Sequence, residues 1–129
     1  SGIEMGTRFV ATAECIAHEN YKRALVAASE TDTRIIERSL GMPGRVLHGP
    51  VAERIIELEA AGERDEVIQL ISGAVNRRGA IDGALDEGWV WSGQVAGLIH
   101  DVPTVKELLD RMTHEAYVLL QQANAVFAG

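Results

Sequence analysis

The first residues of the chain form the clearest candidate for a site that does chemistry. Met5-Gly6-Thr7 precedes Arg8-Phe9-Val10, and this pattern predicts the end of a β-strand that opens onto a helix. A glycine followed by a hydroxyl residue lets backbone N–H groups and one side-chain O–H converge on an anion. The last strand of a (β/α)8 barrel is a common place for such a site, because the loops after strands seven and eight often hold phosphate. Since a barrel cannot begin with its last strand, we expect a C-terminal piece of a larger enzyme; the alternative is an ordinary strand-to-helix turn.

A second group of candidates lies after the middle of the chain. Trp89 and Trp91 would either stack on a flat ligand or cover a core. Gln94 lies between Gly93 and Gly97, and small residues there let the backbone approach a ligand closely. An amide at Gln94 would then hydrogen-bond a cofactor edge or a substrate. A tight packing corner is the alternative interpretation.

The remaining reactive side chains are predicted to be structural. None of His18, His48, His100 and His114 forms an H-x-x-H or H-E-x-x-H pair, so no metal site is predicted. Cys15 has no evident activating base and is interpreted as a small packed residue.

Composition excludes several classes of partner. The 129 residues are enough for one domain with its own core. The net charge of −7 argues against nucleic acid and anionic membranes as partners, since both bind proteins through basic patches. No apolar run reaches the ~20 residues that cross a bilayer, and the N-terminus has no signal-peptide pattern. One cysteine fits a reducing compartment, so we expect a cytoplasmic protein.

The elements that must position these residues are mostly helical. A 3.6-residue apolar period predicts a helix over residues 18–29, with Lys22 and Arg23 pointing away from its buried face. Strands on both sides of Gly41-Met42-Pro43-Gly44 indicate a hairpin. Helices are also predicted from Pro50 to a cap at Gly62, over residues 64–75, and from the Thr104/Glu107 capping box to about Phe127. Residues 76–88 are predicted to be loop or loosely helical. The fold class is therefore α+β, predominantly helical.

Several stretches, taken in order, resemble the nitronate monooxygenases, formerly called 2-nitropropane dioxygenases. These are FMN flavoproteins with close relatives among the FMN-dependent enoyl-acyl-carrier-protein reductases. The matching segments are Met5-Gly6-Thr7-Arg8-Phe9, Ala11-Thr12, Glu14, His18, Tyr21-Lys22, Asp32-Thr33, Arg38-Ser39-Leu40, Gly44-Arg45-Val46 and Ser92-Gly93-Gln94-Val95-Ala96-Gly97-Leu98-Ile99.

The resemblance implies a division of labour along the chain. Residues 1–10 match a remnant of barrel strand 8, in which Met5, Gly6 and Thr7 bind the FMN phosphate. Residues 11–92 match an inserted helical and hairpin domain that covers the flavin. Residues 93–129 match the return segment and the C-terminal barrel helix, with Gly93 and Gln94 near the flavin edge or the substrate. The family oxidises alkyl nitronates with O2, and its histidine base lies upstream of this chain.

The resemblance therefore implies no catalytic residue here, and we expect the chain to be inactive alone. Its expected partners are the remainder of the TIM barrel, a small nitronate and O2, with neither nucleic acid nor membrane. We also expect self-association through the stripe on the last helix. Two alternatives remain: a portion of an FMN-dependent enoyl-acyl-carrier-protein reductase, and a non-enzymatic helical binding or interaction module.

Overall fold

A computed structural model describes residues 2–127, without the side chain of Phe127. The described part is predominantly helical, at 57%, with one small sheet, so the predicted α+β class is confirmed. The helices are α1 (Gly6–Val10), α2 (Glu19–Ala27), α3 (Pro50–Ala61), α4 (Arg64–Leu70), α5 (Gly73–Ala80) and α6 (Val105–Phe127); the strands are β1 (Thr33–Ile36) and β2 (Gly44–Leu47); and 3-10 turns cover Arg38–Leu40 and Gln94–Leu98.

The predicted hairpin is confirmed. Strands β1 and β2 are antiparallel, with Thr33 opposite Leu47 and Ile36 opposite Gly44. The segment before the second 3-10 turn runs along the other edge of β2, because Leu47 N–H donates to Val90 O at 2.9 Å and Ser92 N–H donates to Arg45 O at 3.0 Å. Strand β2 thus fixes the position of residues 89–92, which we call the tryptophan segment.

Two apolar clusters lie on opposite faces of this small sheet. Successive residues of a strand point to opposite faces, so Leu47 and Val90 enter one cluster while Val46 and Trp89 enter the other. The first cluster takes Tyr21 and Leu25 from α2, Ala96 and Ile99 from the segment after it, and Ala11. The second cluster takes Ala52, Ile55 and Leu58 from α3, Val67 from α4 and Val75 from α5.

The strand predicted at the N-terminus is wrong for Phe9-Val10. Residues 6–10 form α1, and residues 2–5 have no regular structure. Arg8 fixes α1, because its Nη2 donates to Ala11 O at 2.6 Å and to Asp101 O at 2.9 Å.

Two helix predictions also need correction. The helix predicted over residues 64–75 breaks into α4 and α5, and α5 extends into residues predicted as loop. Ser72 O accepts the N–H groups of Val75 and Asn76 and so starts the new helix. The prediction that Lys22 points away from the buried face of α2 is also wrong. Its side chain is buried, and its Nζ lies 3.2 Å from Glu19 Oε1.

Helix α6 begins as predicted. Thr104 N–H donates to Glu107 Oε2 at 2.8 Å, and Glu107 N–H donates to Thr104 Oγ1 at 3.2 Å, which is the reciprocal capping box. Leu108 is buried, but Leu119 is 64% exposed. The apolar stripe therefore loses its cover after about the second turn. No helix of the described residues has the length and apolarity that a membrane crossing requires.

Candidate functional site

An open cleft of about 350 Å³ lies where α1, α2, β2 and the tryptophan segment meet. It brings together residues from distant parts of the sequence: Gly6, Thr7, Val10, Tyr21, Arg45, Trp91, Ser92 and Gly93. Three of the residues predicted for the site, Gly6, Thr7 and Gly93, are therefore neighbours in space.

Thr7 and Gly93 are joined directly. Gly93 N–H donates to Thr7 Oγ1 at 2.9 Å. A hydroxyl has one hydrogen to donate besides its lone pairs, and no acceptor for it is found within the described residues. The backbone of residue 93 therefore holds Thr7 Oγ1 in the cleft with its O–H available to a ligand.

Gly6 leaves room for a ligand at the start of α1. A Cβ built on this residue would meet no atom within 4 Å. The first backward hydrogen bond of the helix runs from Phe9 N–H to Met5 O at 3.3 Å, so the N–H groups that precede it have no partner inside α1. Met5 is not among the residues that line this cleft; it lines another groove, with Val95, Leu108 and Met112.

Gln94 and Gly97 are arranged differently from Gly93. The Gln94 side chain is exposed and is not among the cleft-lining residues. At Gly97 a Cβ would lie 2.7 Å from Glu30 N and 2.9 Å from Glu30 Oε2. Gly97 thus packs closely against the loop after α2. Of the two interpretations of this segment, a ligand contact and a tight packing corner, Gly97 fits the packing corner.

The two tryptophans have separate roles. Trp89 is buried, and its Nε1–H donates to Leu70 O at 2.9 Å. Trp91 is 46% exposed and forms a wall of the cleft. Its ring lies edge to face against Trp89, with centroids 4.7 Å apart, and covers Gly44, where a Cβ would lie 2.3 Å from Trp91 Cζ3. Trp89 covers a core, while Trp91 is half-exposed and lines the cleft.

Tyr21 holds the Trp91 backbone. Its hydroxyl donates to Trp91 O, and burial raises the pKa of the Tyr21 phenol far above its ordinary value. Tyr21 therefore stays protonated and neutral across the physiological range, as a donor to that carbonyl.

Sequence reasoning assigned no site role to Arg45. This arginine lies in β2, and its Nη1 donates to Thr33 Oγ1 at 2.9 Å. The register puts Arg45 and Thr33 on the same face of the hairpin, toward the cleft. The alternation of the strand could have shown this, because Leu47 two residues later is a core residue of that face.

The histidines lie outside the cleft lining. His18 caps α2, since its Nδ1 accepts Asn20 N–H at 3.1 Å. His48 Nε2 lies 3.1 Å from Glu53 Oε1. His100 and His114 are exposed. Among residues 2–127, no group of three or more His, Cys, Asp and Glu side chains is arranged to hold a metal ion.

The lining of the cleft fits a ligand with an anionic end and an aromatic part. Its polar groups include the Thr7 hydroxyl, N–H groups at the start of α1 and the Arg45 guanidinium, all of which can donate to anionic oxygens. Trp91 supplies a flat apolar surface beside them. FMN combines a phosphate with an aromatic ring, and the residues present suit the phosphate end.

Known proteins resemble the chain over most of its length. A dehydrogenase of Mycobacterium tuberculosis, named for a 5-hydroxy-7a-methyl-1-oxo-octahydroindene-4-carboxyl-CoA substrate, is 28% identical over 98% of this chain and 46% of its own length. A probable nitronate monooxygenase of Staphylococcus haemolyticus is 27% identical over 92% of this chain and 33% of its own.

A solved structure also resembles the chain over most of its length. FabK from Thermotoga maritima superposes with a TM-score of 0.89 at 34% identity, covering 97% of this chain and 40% of FabK. The chain thus spans less than half the length of the relatives it matches.

The family comparison covers both walls of the cleft. The model of the nitronate monooxygenase family matches residues 1–115, which include Gly6, Thr7, Arg45 and Gly93. The chain belongs to the nitronate monooxygenase family.

Proposed function

We propose that this chain is the C-terminal region of an FMN-dependent nitronate monooxygenase. In that enzyme it binds the flavin phosphate through Met5, Gly6 and Thr7, with the backbone of Met5 contributing rather than its side chain. Residues 11–92 cover the flavin, and residues 93–129 return the chain to the barrel. The parent protein oxidises alkyl nitronates with O2.

The observation that carries this proposal is the hydrogen bond between Gly93 N–H and Thr7 Oγ1. It joins two segments that the family resemblance independently assigns to the flavin site, and it leaves the Thr7 O–H free to donate into an open cleft. A charge-assisted hydrogen bond to phosphate contributes about 1.5–3 kcal/mol.

FMN, when bound, supplies the electron transfer to and from the substrate and O2. The residues of this chain would bind and orient it and exclude water from one side. Rate acceleration requires groups that stabilise a transition state more than the ground state. Because the family's histidine base has no counterpart among the residues of this cleft, we propose that the chain has no activity by itself.

An FMN-dependent enoyl-acyl-carrier-protein reductase is the second candidate. The likeness to FabK, with 34% identity and a TM-score of 0.89, favours it as specifically as the staphylococcal relative favours nitronate oxidation. The two candidates share the flavin site and differ in the substrate and the electron donor.

The test is a paired assay on the intact parent protein reconstituted with FMN. O2 uptake with an alkyl nitronate and no NAD(P)H supports the monooxygenase. NAD(P)H oxidation that depends on an enoyl thioester, without nitronate turnover, supports the reductase. A parent protein that binds no FMN contradicts both and supports the helical interaction module instead.

A further inference from the structure

The cleft contains one cation, Arg45, that has no carboxylate partner among residues 2–127. Arg8, Arg34 and Arg45 are the partly buried arginines of the described residues. Arg8 has a carboxylate oxygen of Asp101 at 3.2 Å, and Arg34 has one of Glu53 at 2.8 Å. Arg45 has no carboxylate within 4.0 Å among residues 2–127, and its side-chain hydrogen bond goes to the neutral Thr33 hydroxyl.

This arrangement is unusual for a chain with so many acids. The sequence has 19 acidic residues and a net charge of −7, yet Arg45 is the one charged residue among the described residues that line the cleft. A partly buried charge without a partner is costly. A guanidinium presents five N–H donors in a planar fork that matches two anionic oxygens, and the bond to Thr33 Oγ1 uses Nη1 and fixes the group in place.

We propose that Arg45 binds the anionic oxygens of a ligand that enters this cleft. This deepens the proposed function, on which it rests, and two sources of those oxygens are compatible with it: the FMN phosphate and the two oxygens of the anionic nitronate group of the substrate. In either case Arg45 contacts the ligand from the hairpin, in the same cleft as Thr7 and Gly93.

The test uses Arg45→Gln and Arg45→Lys in the intact parent protein. Arg38→Gln is the matched control, because Arg38 lies in the same hairpin, in the connection between β1 and β2, but is exposed and is not part of the cleft lining. Circular dichroism and the unfolding midpoint check that each variant folds. Three quantities are measured: the Kd of the apoprotein for FMN, its Kd for riboflavin, and the KM and kcat for a nitronate.

If the phosphate is the ligand, Arg45→Gln weakens FMN about tenfold to a hundredfold and leaves riboflavin unchanged. If the nitronate group of the substrate is the ligand, the KM for the nitronate rises by a similar factor with both flavin affinities unchanged. Arg45→Lys keeps the charge without the fork and recovers part of the loss. Flavin affinities and KM equal to those of Arg38→Gln overturn the proposal.

A separate measurement distinguishes failure of this proposal from failure of the proposed function. If the parent protein binds no flavin, inorganic phosphate is titrated into it while the fluorescence of the half-exposed Trp91 is followed. A saturable change that Arg45→Gln abolishes and Arg38→Gln retains supports anion binding by Arg45. The same response in the wild type and Arg45→Gln, or no response in either, overturns it.

Discussion

The approach of Gly88 to helix α5 offers the sharpest test of how the cleft wall is held. A Cβ at Gly88 would lie 2.4 Å from both Gly79 N and Val75 O. Both atoms are backbone, so no side chain can rotate away. The two segments must separate by about 1 Å to restore ordinary contact. We therefore expect Gly88→Ala to destabilise the chain strongly.

The magnitude follows from what that separation disturbs. Overpacking of this kind costs about 1–3 kcal/mol. The shift also strains the bond from Asn76 Nδ2 to Trp89 O, at 3.0 Å, and that from Trp89 Nε1 to Leu70 O, at 2.9 Å. Each is worth about 1 kcal/mol, so we expect the free energy of unfolding to fall by about 2–4 kcal/mol.

The assay is urea unfolding followed by circular dichroism and tryptophan fluorescence. With a slope of about 1–3 kcal/mol per molar urea, the midpoint should fall by at least about 0.7 M. Gly73→Ala is the matched control, because a Cβ there meets nothing within 4 Å at the start of α5. Its stability should change by less than about 1 kcal/mol, upward if at all. An unchanged midpoint and fluorescence spectrum for Gly88→Ala would refute the close backbone approach.

Further predictions concern the flavin site, an ion pair and association. Thr7→Val in the parent protein should weaken the binding of FMN by about 1.5–3 kcal/mol, while Thr7→Ser should bind FMN as the wild type does. Equal FMN affinities of Thr7→Val and the wild type would show that the hydroxyl does not contact the phosphate. Hydrogen bonding and charge from Arg111, followed by Arg8, lower the pKa of the Asp101 carboxyl, so its stabilisation is present above the ordinary carboxyl pKa of about 4 and is lost as the pH falls below it. Asp101→Asn should therefore be less stable than the wild type at pH 7 and equal to it in acid, and a constant difference across this range would contradict the role of the pair. The purified chain alone should neither retain FMN stoichiometrically nor consume O2 with a nitronate, which absorbance and an oxygen electrode check. It should also self-associate through the exposed apolar residues of α6, Leu119 among them, and light scattering that shows a monomer at high micromolar concentration would count against this.

Local sequence signals were sufficient to predict those elements whose structure depends on only a few neighbouring residues. The Gly62 cap, the Thr104/Glu107 capping box and the hairpin around Gly41-Met42-Pro43-Gly44 were predicted, and the structure confirms them. Each depends on backbone preference or on hydrogen bonds that span a few residues. The family resemblance was likewise available from residue order alone, and the family comparison confirms it.

Tertiary packing decided what depends on distant partners. Residues 6–10 form a helix that Arg8 ties to Asp101, a residue 93 positions away, and Lys22 is buried because the chain around Ala13 folds over it. That Arg45 lines the cleft without a carboxylate partner could not be predicted from the sequence, because the positions of the carboxylates depend on the packed structure. Gly6, Thr7 and Gly93 could be named from the sequence, but the bond between Thr7 and Gly93 could not, because chain order carries no distance between segments that only the packed core brings together.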